Sequence, residues 1–400
     1  MDTSEMHPER LWNRKYVHVL LMETVMQMAL YLTRPITASY AVSLGASVAA
    51  AGFVAGLLAT AAVVVRPLSG SFSDLLSKKN LLVAAAALFA VSAFGCATAT
   101  TTLMLGAWCA VQGFAFAFKS TLIISMASLV VPRESLGSGV GWLSIAYTVA
   151  CALGPAIGSS LGGSFGYPVV YLLSACLLVV GFVLAVTFKA PAASSHHAPL
   201  LRGADVRSKM SLAVLFRPST MFYGPAIAYS LVAGLMMVAQ GTTNTFLVFM
   251  GEQGEVQGAP LYFVVYSIVT LASKPLAGRI SDRQGVAAVV VPALAVAAIG
   301  MVQLSLIRSA LAVCVAAVCM AVGQASAYAA LQAESVRKVN ERKLGRAANT
   351  FYIGPDIGMG LGPVLGGFVL QTFGAPATFA FNAAALLLSL LVFLAYRRRS

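Results

Sequence analysis

Two short stretches constrain the fold of this chain more than any other feature. Arg66-Pro67-Leu68-Ser69-Gly70-Ser71-Phe72-Ser73-Asp74 and Lys274-Pro275-Leu276-Ala277-Gly278-Arg279-Ile280-Ser281-Asp282 share one pattern, each closes a long apolar run, and Gly70 and Gly278 stand 208 positions apart. The same spacing separates Leu136-Gly137 from Leu344-Gly345, Gly154-Pro155 from Gly362-Pro363, and Pro168 from Pro376. A repeat half a chain long in an apolar sequence predicts two bundles of one topology, related by an axis along the membrane normal.

Composition requires lipid as the solvent. With 59% hydrophobic residues, 10% charged residues and a mean hydropathy of +0.86, the chain has too little polar surface to cover a soluble globule of 400 residues. A span of about 20 apolar residues crosses a hydrocarbon core of about 30 Å. Such windows fall at 16–40, 48–70, 80–99, 102–130, 138–163, 167–189, 219–250, 259–280, 286–307, 309–333, 346–371 and 375–396. The expected fold class is therefore an all-α membrane protein of twelve transmembrane helices in two six-helix bundles. Its expected organisation is a tail over 1–15, a bundle over 16–189, a linker over 190–216, a second bundle over 217–396 and a tail over 397–400. The first window follows Arg10, Arg14 and Lys15 as a secretory signal would, but it is too long and lacks an A-x-A-like site, so a retained helix is expected.

The net charge of +13 would suit a nucleic-acid binder, yet its placement points elsewhere. Lys78, Lys79, Arg133, Arg202, Arg207, Arg337, Lys338 and Arg397-Arg398-Arg399 sit in even-numbered loops or at the termini, whereas the odd-numbered loops hold only Arg308 against Glu252 and Glu255. By the positive-inside rule both termini and the linker are cytoplasmic, the membrane is the cell's inner membrane, and no nucleic-acid partner is expected. Cys96, Cys109, Cys151, Cys176, Cys314 and Cys319 lie in or beside apolar windows without paired loop spacing, so neither a disulfide framework nor a metal site is expected. No cofactor is expected, and no intramembrane Ser/His/Asp or phosphate-loop constellation points to an enzyme.

These motifs resemble the major facilitator superfamily over essentially the whole chain. That family's loop between spans 2 and 3 reads G-x-x-x-D-R-x-G-R-K. Gly70, Asp74, Lys78 and Lys79 match it, while Leu75 and Ser77 depart. The second copy keeps Gly278, Asp282, Arg283 and Gly285. The resemblance implies that Asp74 faces the start of span 11 near Gly345-Arg346, and Asp282 the start of span 5 near Gly137-Ser138, as latches released in the alternate state. Physically, glycine permits close approach of a neighbour, and an aspartate caps the positive end of a facing helix. Gly154-Pro155-Ala156-Ile157-Gly158, followed by Gly162-Gly163, resembles the motif that marks exporters in the superfamily, above all drug:proton antiporters. Span 4 departs from those antiporters: Gln112-Gly113 is present, but the preceding arginine position holds Cys109.

A charge in hydrocarbon costs at least about 2.5–3.5 kcal/mol on insertion scales, which makes it a functional candidate. Glu23, Arg34, Lys119 and Asp356 lie well inside their windows, with Arg66, Lys274 and Glu334 nearer the ends. Glu23, Gln27 and Arg34 share a face of span 1 with Tyr31 beside them, and Gln112 and Lys119 share a face of span 4. The resemblance implies that spans 1, 4, 7 and 10 surround a central cavity, so Gln27, Tyr31, Arg34, Gln112 and Lys119 are expected to line it. At about 1.5 Å per residue, Glu23 and Lys119 stand level, which predicts an ion pair broken by protonation or by substrate. Arg34 is about 16 Å further along and is expected to attract anionic groups near the outer mouth. Asp356 either carries protons or caps the kink among Gly354, Pro355 and Gly358. The second half offers Tyr229, Gln240 and Asn244 on span 7, Tyr266 on span 8, and Gln324 and Tyr328 on span 10 as cavity side chains.

The expected function is export of a small amphiphilic compound in exchange for protons, with Glu23 and Asp356 as candidate coupling groups, in a monomer within the lipid bilayer. The rivals are an importer or facilitator of an organic anion, and a transporter-derived sensor that binds without moving its ligand.

Overall fold

The computed structural model describes residues 12–75, 77–131, 136–189, 223–337, 339 and 344–399, and the elements among them are helical. The expected linker over 190–216 and most of the expected N-terminal tail lie outside the described residues.

The first span is interrupted by its own sequence. Helix α1 (Arg14–Thr33) starts at Asn13, whose side chain accepts the Tyr16 amide at 2.8 Å. It stops where Pro35 removes a backbone donor. A 3-10 turn over Arg34–Ile36 leads into the short helix α2 (Thr37–Ser43). The first half continues with α3 (Val48–Leu75), α4 (Lys78–Ala97), α5 (Thr102–Val130), α6 (Leu136–Phe165) and α7 (Tyr167–Thr187). The second half holds α8 (Gly224–Glu252), α9 (Ala259–Gln284), α10 (Val286–Leu306), α11 (Ala310–Met320), α12 (Ser326–Arg337) and α13 (Leu344–Arg399). A π turn over Ala321–Ala325 joins α11 to α12.

Among the described residues, ten helical runs are long and apolar enough to cross a membrane. Two physical facts separate that count from the twelve expected. Helix α1 carries Arg14, Lys15 and Glu23 within 20 residues, which lowers its hydropathy. The last run, Thr350–Arg398, has 49 residues, about 73 Å of helix and more than twice a hydrocarbon core. It turns at Gly374, where φ is +77°. Gly166, 208 positions earlier, has φ +87° between α6 and α7. Both turns use a backbone conformation that glycine adopts without a Cβ clash, so the repeat in sequence is a repeat in backbone.

Packing follows the same duplication. Helix α1 packs on α6 as α8 packs on α13, and each half's second span crosses to the other half's fifth, α3 on α13 and α9 on α6. Gly354, Gly358 and Gly362 sit where a Cβ would collide with the α8 carbonyls of Ser230, Gly234 and Val238. In the first half Gly154 lies against the backbone of Tyr31 and Gly158 against the carbonyl of Leu32. Small residues spaced in fours thus bring paired helices to backbone contact. Gly158→Val is expected to force α1 from α6 and destabilise the protein by about 1–3 kcal/mol. Gly163→Ala, where a Cβ meets nothing within 4 Å, is expected to unfold with the parent in a thermal melt.

The halves are sealed together on the side away from the termini. Gly52 lies against the carbonyl of Pro363 and Gly56 against that of Gly360. The Ala49 amide donates to Gln371 at 2.9 Å, and the Tyr167 hydroxyl donates to Glu252 at 3.1 Å. These contacts occupy the far ends of α3, α8 and the first arm of α13 and the start of α7, and they close the seam between α3 and α13 on that side.

Candidate functional site

Between the halves lies a cavity of about 390 Å³, within the size range of small-molecule sites. The first half contributes Glu23 and Gln27 from α1, Arg34 from the turn that follows, Arg66 from α3, and Tyr147, Thr148 and Cys151 from α6. The second half contributes Gln240 and Asn244 from α8, Tyr266 and Lys274 from α9, Gln324 from the π turn, Tyr328 from α12, and Tyr352 and Asp356 from α13.

The contact expected between Glu23 and Lys119 is present. Lys119 Nζ lies 2.7 Å from Glu23 Oε2, and Gln27 donates from Nε2 to Glu23 Oε1 at 2.6 Å. The two ends of the pair differ in hydration: the Lys119 side chain is fully buried, with its ammonium 5.9 Å from the Phe116 ring centre, while Glu23 is 11% exposed and reaches the cavity. Lys119 therefore stands behind the wall rather than on it, which corrects its expected place among the lining residues. Its charge reaches the cavity only through Glu23.

A second ion pair crosses between the halves. Arg66 binds Asp356 through Nε, and its Nη2 donates to Asp356 Oδ1 at 3.1 Å. The guanidinium also sits 5.7 Å from the centre of the Tyr352 ring, and Tyr352 accepts a hydrogen bond from Gln332 at 2.7 Å. Asp356 thus lies on the cavity wall, held by a cation from the other half. Sequence reasoning placed Arg66 near a helix end and missed this partnership. The available signal was Arg66 itself, a charge inside an apolar run immediately before the repeated Pro-Leu.

In the second half the polar groups are uncharged apart from Lys274 and Asp356. Gln240 donates to Asn244 at 3.0 Å, and Gln324 donates to the Met236 carbonyl at 2.7 Å. Both amide oxygens, Gln240 Oε1 and Gln324 Oε1, are buried without a hydrogen-bond partner among the described residues. Gln324 owes its position to the π turn, a feature common at functional sites and absent from helix-period reasoning. Tyr266 stacks on Tyr262 with ring centres 5.8 Å apart.

Three further expected lining residues are displaced from the wall. Tyr31 is buried and donates to Tyr147 at 2.7 Å, and Tyr147 takes its place at the cavity. Gln112 is buried where Gly113 draws α5 onto the backbone of Leu58. Tyr229 packs edge-on against Tyr396 at 5.6 Å and does not reach the cavity. Of the expected gating residues, Asp282 and Arg283 are exposed at the end of α9, and Gly278 has no neighbour within 4 Å of a built Cβ. Among the described residues Gly278 therefore makes no close approach. The side chain of Asp74 and those of the residues expected to face Asp74 and Asp282, near Gly345-Arg346 and Gly137-Ser138, are not among those described. Among the described residues no group of three His, Cys, Asp or Glu side chains is placed to hold a metal ion.

A duplicated bundle of apolar, membrane-length helices around a polar cavity is the architecture that secondary transporters use. The Major Facilitator Superfamily model matches residues 19–260 and 229–400, and the chain belongs to that family. It is 22% identical over 263 residues to the multidrug resistance protein MdtG of Enterobacter lignolyticus, covering 64% of this chain and 61% of that protein. It is 24% identical over 118 residues to the vacuolar membrane amino acid uptake transporter fnx2 of Schizosaccharomyces pombe, covering 30% of this chain and 20% of that one. The chain thus spans less than two thirds of the length of these relatives. In fold it is similar to a POT family transporter solved in complex with 5-aminolevulinic acid, with a TM-score of 0.79, 12% identity and 96% coverage of both chains.

Proposed function

We propose that this transporter is a proton-coupled exporter of a small amphiphilic compound, working by rocking one bundle against the other around the central cavity. The carrying observation is the Glu23–Lys119 pair, a carboxylate at the cavity edge whose counter-ion is sealed inside the first bundle. Protonation of Glu23 releases Lys119, and an intramembrane carboxylate at a cavity wall is the group type that proton relays use. The Gly154-Pro155 crossing of α6 on α1 keeps the resemblance to exporters, and the relative MdtG is named for multidrug resistance. In this reading both termini face the cytoplasm across the cell's inner membrane, so the closed side faces outward and the cavity loads from within.

Direction and coupling are tested in whole cells with fluorescent amphiphiles of either charge. Cells producing the protein are expected to retain less of at least one dye than cells carrying an empty vector, and to lose the difference when a protonophore is added. Equal retention for every dye, or a difference that survives the protonophore, overturns the reading. Greater retention in producing cells would establish uptake instead.

A further inference from the structure

Arg66 and Lys274 occupy the same place in the two repeats, 208 positions apart, each followed by Pro-Leu. Both line the cavity. Each belongs to the second span of its half, and those spans cross to the other half's fifth in the same way, α3 on α13 and α9 on α6. The two cations therefore face equivalent walls.

Only one of those walls supplies an acid. Arg66 pairs with Asp356 on α13. The position 208 before Asp356 is Thr148 on α6, which also lines the cavity. Its hydroxyl donates to the Ser144 carbonyl at 2.8 Å, so it is satisfied within its own helix and carries no charge. Lys274 makes no hydrogen bond or ion pair with a described residue, in contrast to Arg66 and Lys119.

The charge balance points the same way. Among the described charged groups at the cavity, Glu23 and Asp356 are matched by Lys119 and Arg66. Arg34 and Lys274 are left over, both on the wall and both within electrostatic reach of Cys151. Unmatched charges in a low-dielectric cavity raise the local concentration of the opposite charge and repel their own sign.

We infer that the transported compound is an anionic amphiphile whose acidic group docks at Lys274, replacing the carboxylate that Thr148 does not supply, with Arg34 as the second cation. Its apolar body lies along Tyr147, Met237 and Tyr266. The free amide oxygens of Gln240 and Gln324 accept from donors it carries. This inference rests on the cavity being the transport site.

The test uses one ring system with three charges: 1-naphthoate, the neutral 1-naphthamide and the cationic 1-naphthylmethylammonium, each titrated against purified protein in nanodiscs. Naphthoate is expected to bind saturably, the amide roughly tenfold or more weaker, and the ammonium not measurably, because a charge-assisted contact is worth at least that factor. Lys274→Gln and Arg34→Gln should each cost naphthoate roughly tenfold and leave the amide unchanged. Thr148→Asp restores the missing internal acid and should abolish naphthoate binding, whereas Thr148→Asn, of equal size and no charge, should keep it. Naphthoate binding no tighter than the amide, or insensitive to Lys274→Gln and Thr148→Asp, overturns the inference. Pumping of cationic dyes without naphthoate binding would retain the exporter and remove the anion site. Lys274-dependent naphthoate binding with no flux of any dye would retain the anion site and remove the exporter.

Discussion

Glu23→Gln is expected to destabilise the protein more than Lys119→Met, although it is the smaller change in shape. Lys119 is completely buried with Glu23 as its acid, so removing the carboxylate strands an ammonium in a packed interior beside the Phe116 ring. Breaking a buried pair from one side typically costs about 3–5 kcal/mol. Removing Lys119 leaves Glu23 at the cavity edge, 11% exposed and still bonded to Gln27, where water or a proton relieves it. The double variant Glu23→Gln/Lys119→Met replaces both charges and should recover most of the lost stability. Thermal inactivation half-lives in detergent give the order: Glu23→Gln shortest, Lys119→Met intermediate, the double variant near the parent. Transport separates coupling from scaffolding. The double variant is expected to lose proton-driven accumulation while staying folded, and parental transport by that variant would reduce the pair to a structural tie.

The architecture was legible because it was written twice. A fixed offset of 208 carried the repeat, and the same offset reappears as two glycine turns, at Gly166 and Gly374, with positive φ. Glu23 and Lys119 were legible because depth in a membrane helix is simple counting: two antiparallel helices with charges at one level have few other partners in lipid. What escaped was contact between halves. Arg66 and Asp356 are 290 positions apart, and their meeting depends on how α3 crosses α13 rather than on any periodicity. Gln324 and Arg34 were expected at the cavity and do line it, but the irregular backbone that carries each was not foreseen. The π turn at Ala321–Ala325 and the break at Pro35 each rotate a helix face away from the 3.6-residue register, so a face drawn through either point misplaces side chains beyond it. Lys119 and Tyr31 show the same limit in depth. Facing the axis of a bundle put both on the cavity in prospect, and a second layer of side chains, Glu23 and Tyr147, stands in front of them.

Neutralising either member of the Arg66–Asp356 pair is expected to open the side of the protein that is closed here. The pair ties α3 to α13 at the terminal-side end of the same seam in which Gly52 and Gly56 meet Pro363 and Gly360. It is therefore the ionic part of a contact that must loosen when the halves rock apart on the far side. With side chains 22% and 17% exposed, the pair is partly hydrated, and a loss of about 1–2 kcal/mol changes a two-state ratio roughly five- to thirtyfold. Spin labels on Ser43→Cys and Thr372→Cys, exposed at the far ends of α2 and of the first arm of α13, read that ratio as a distance distribution once the exposed Cys176 is replaced by serine. Arg66→Gln and Asp356→Asn should each raise the long-distance population, and the charge-swapped pair Arg66→Asp/Asp356→Arg should return it toward the parent. Because Arg66 also lies over Tyr352, Arg66→Lys tests whether charge alone suffices. A lysine has no planar fork to hold both carboxylate oxygens, so this variant should fall between the parent and Arg66→Gln. Distance distributions that stay unchanged across all four variants would place the gate in the glycine seam alone.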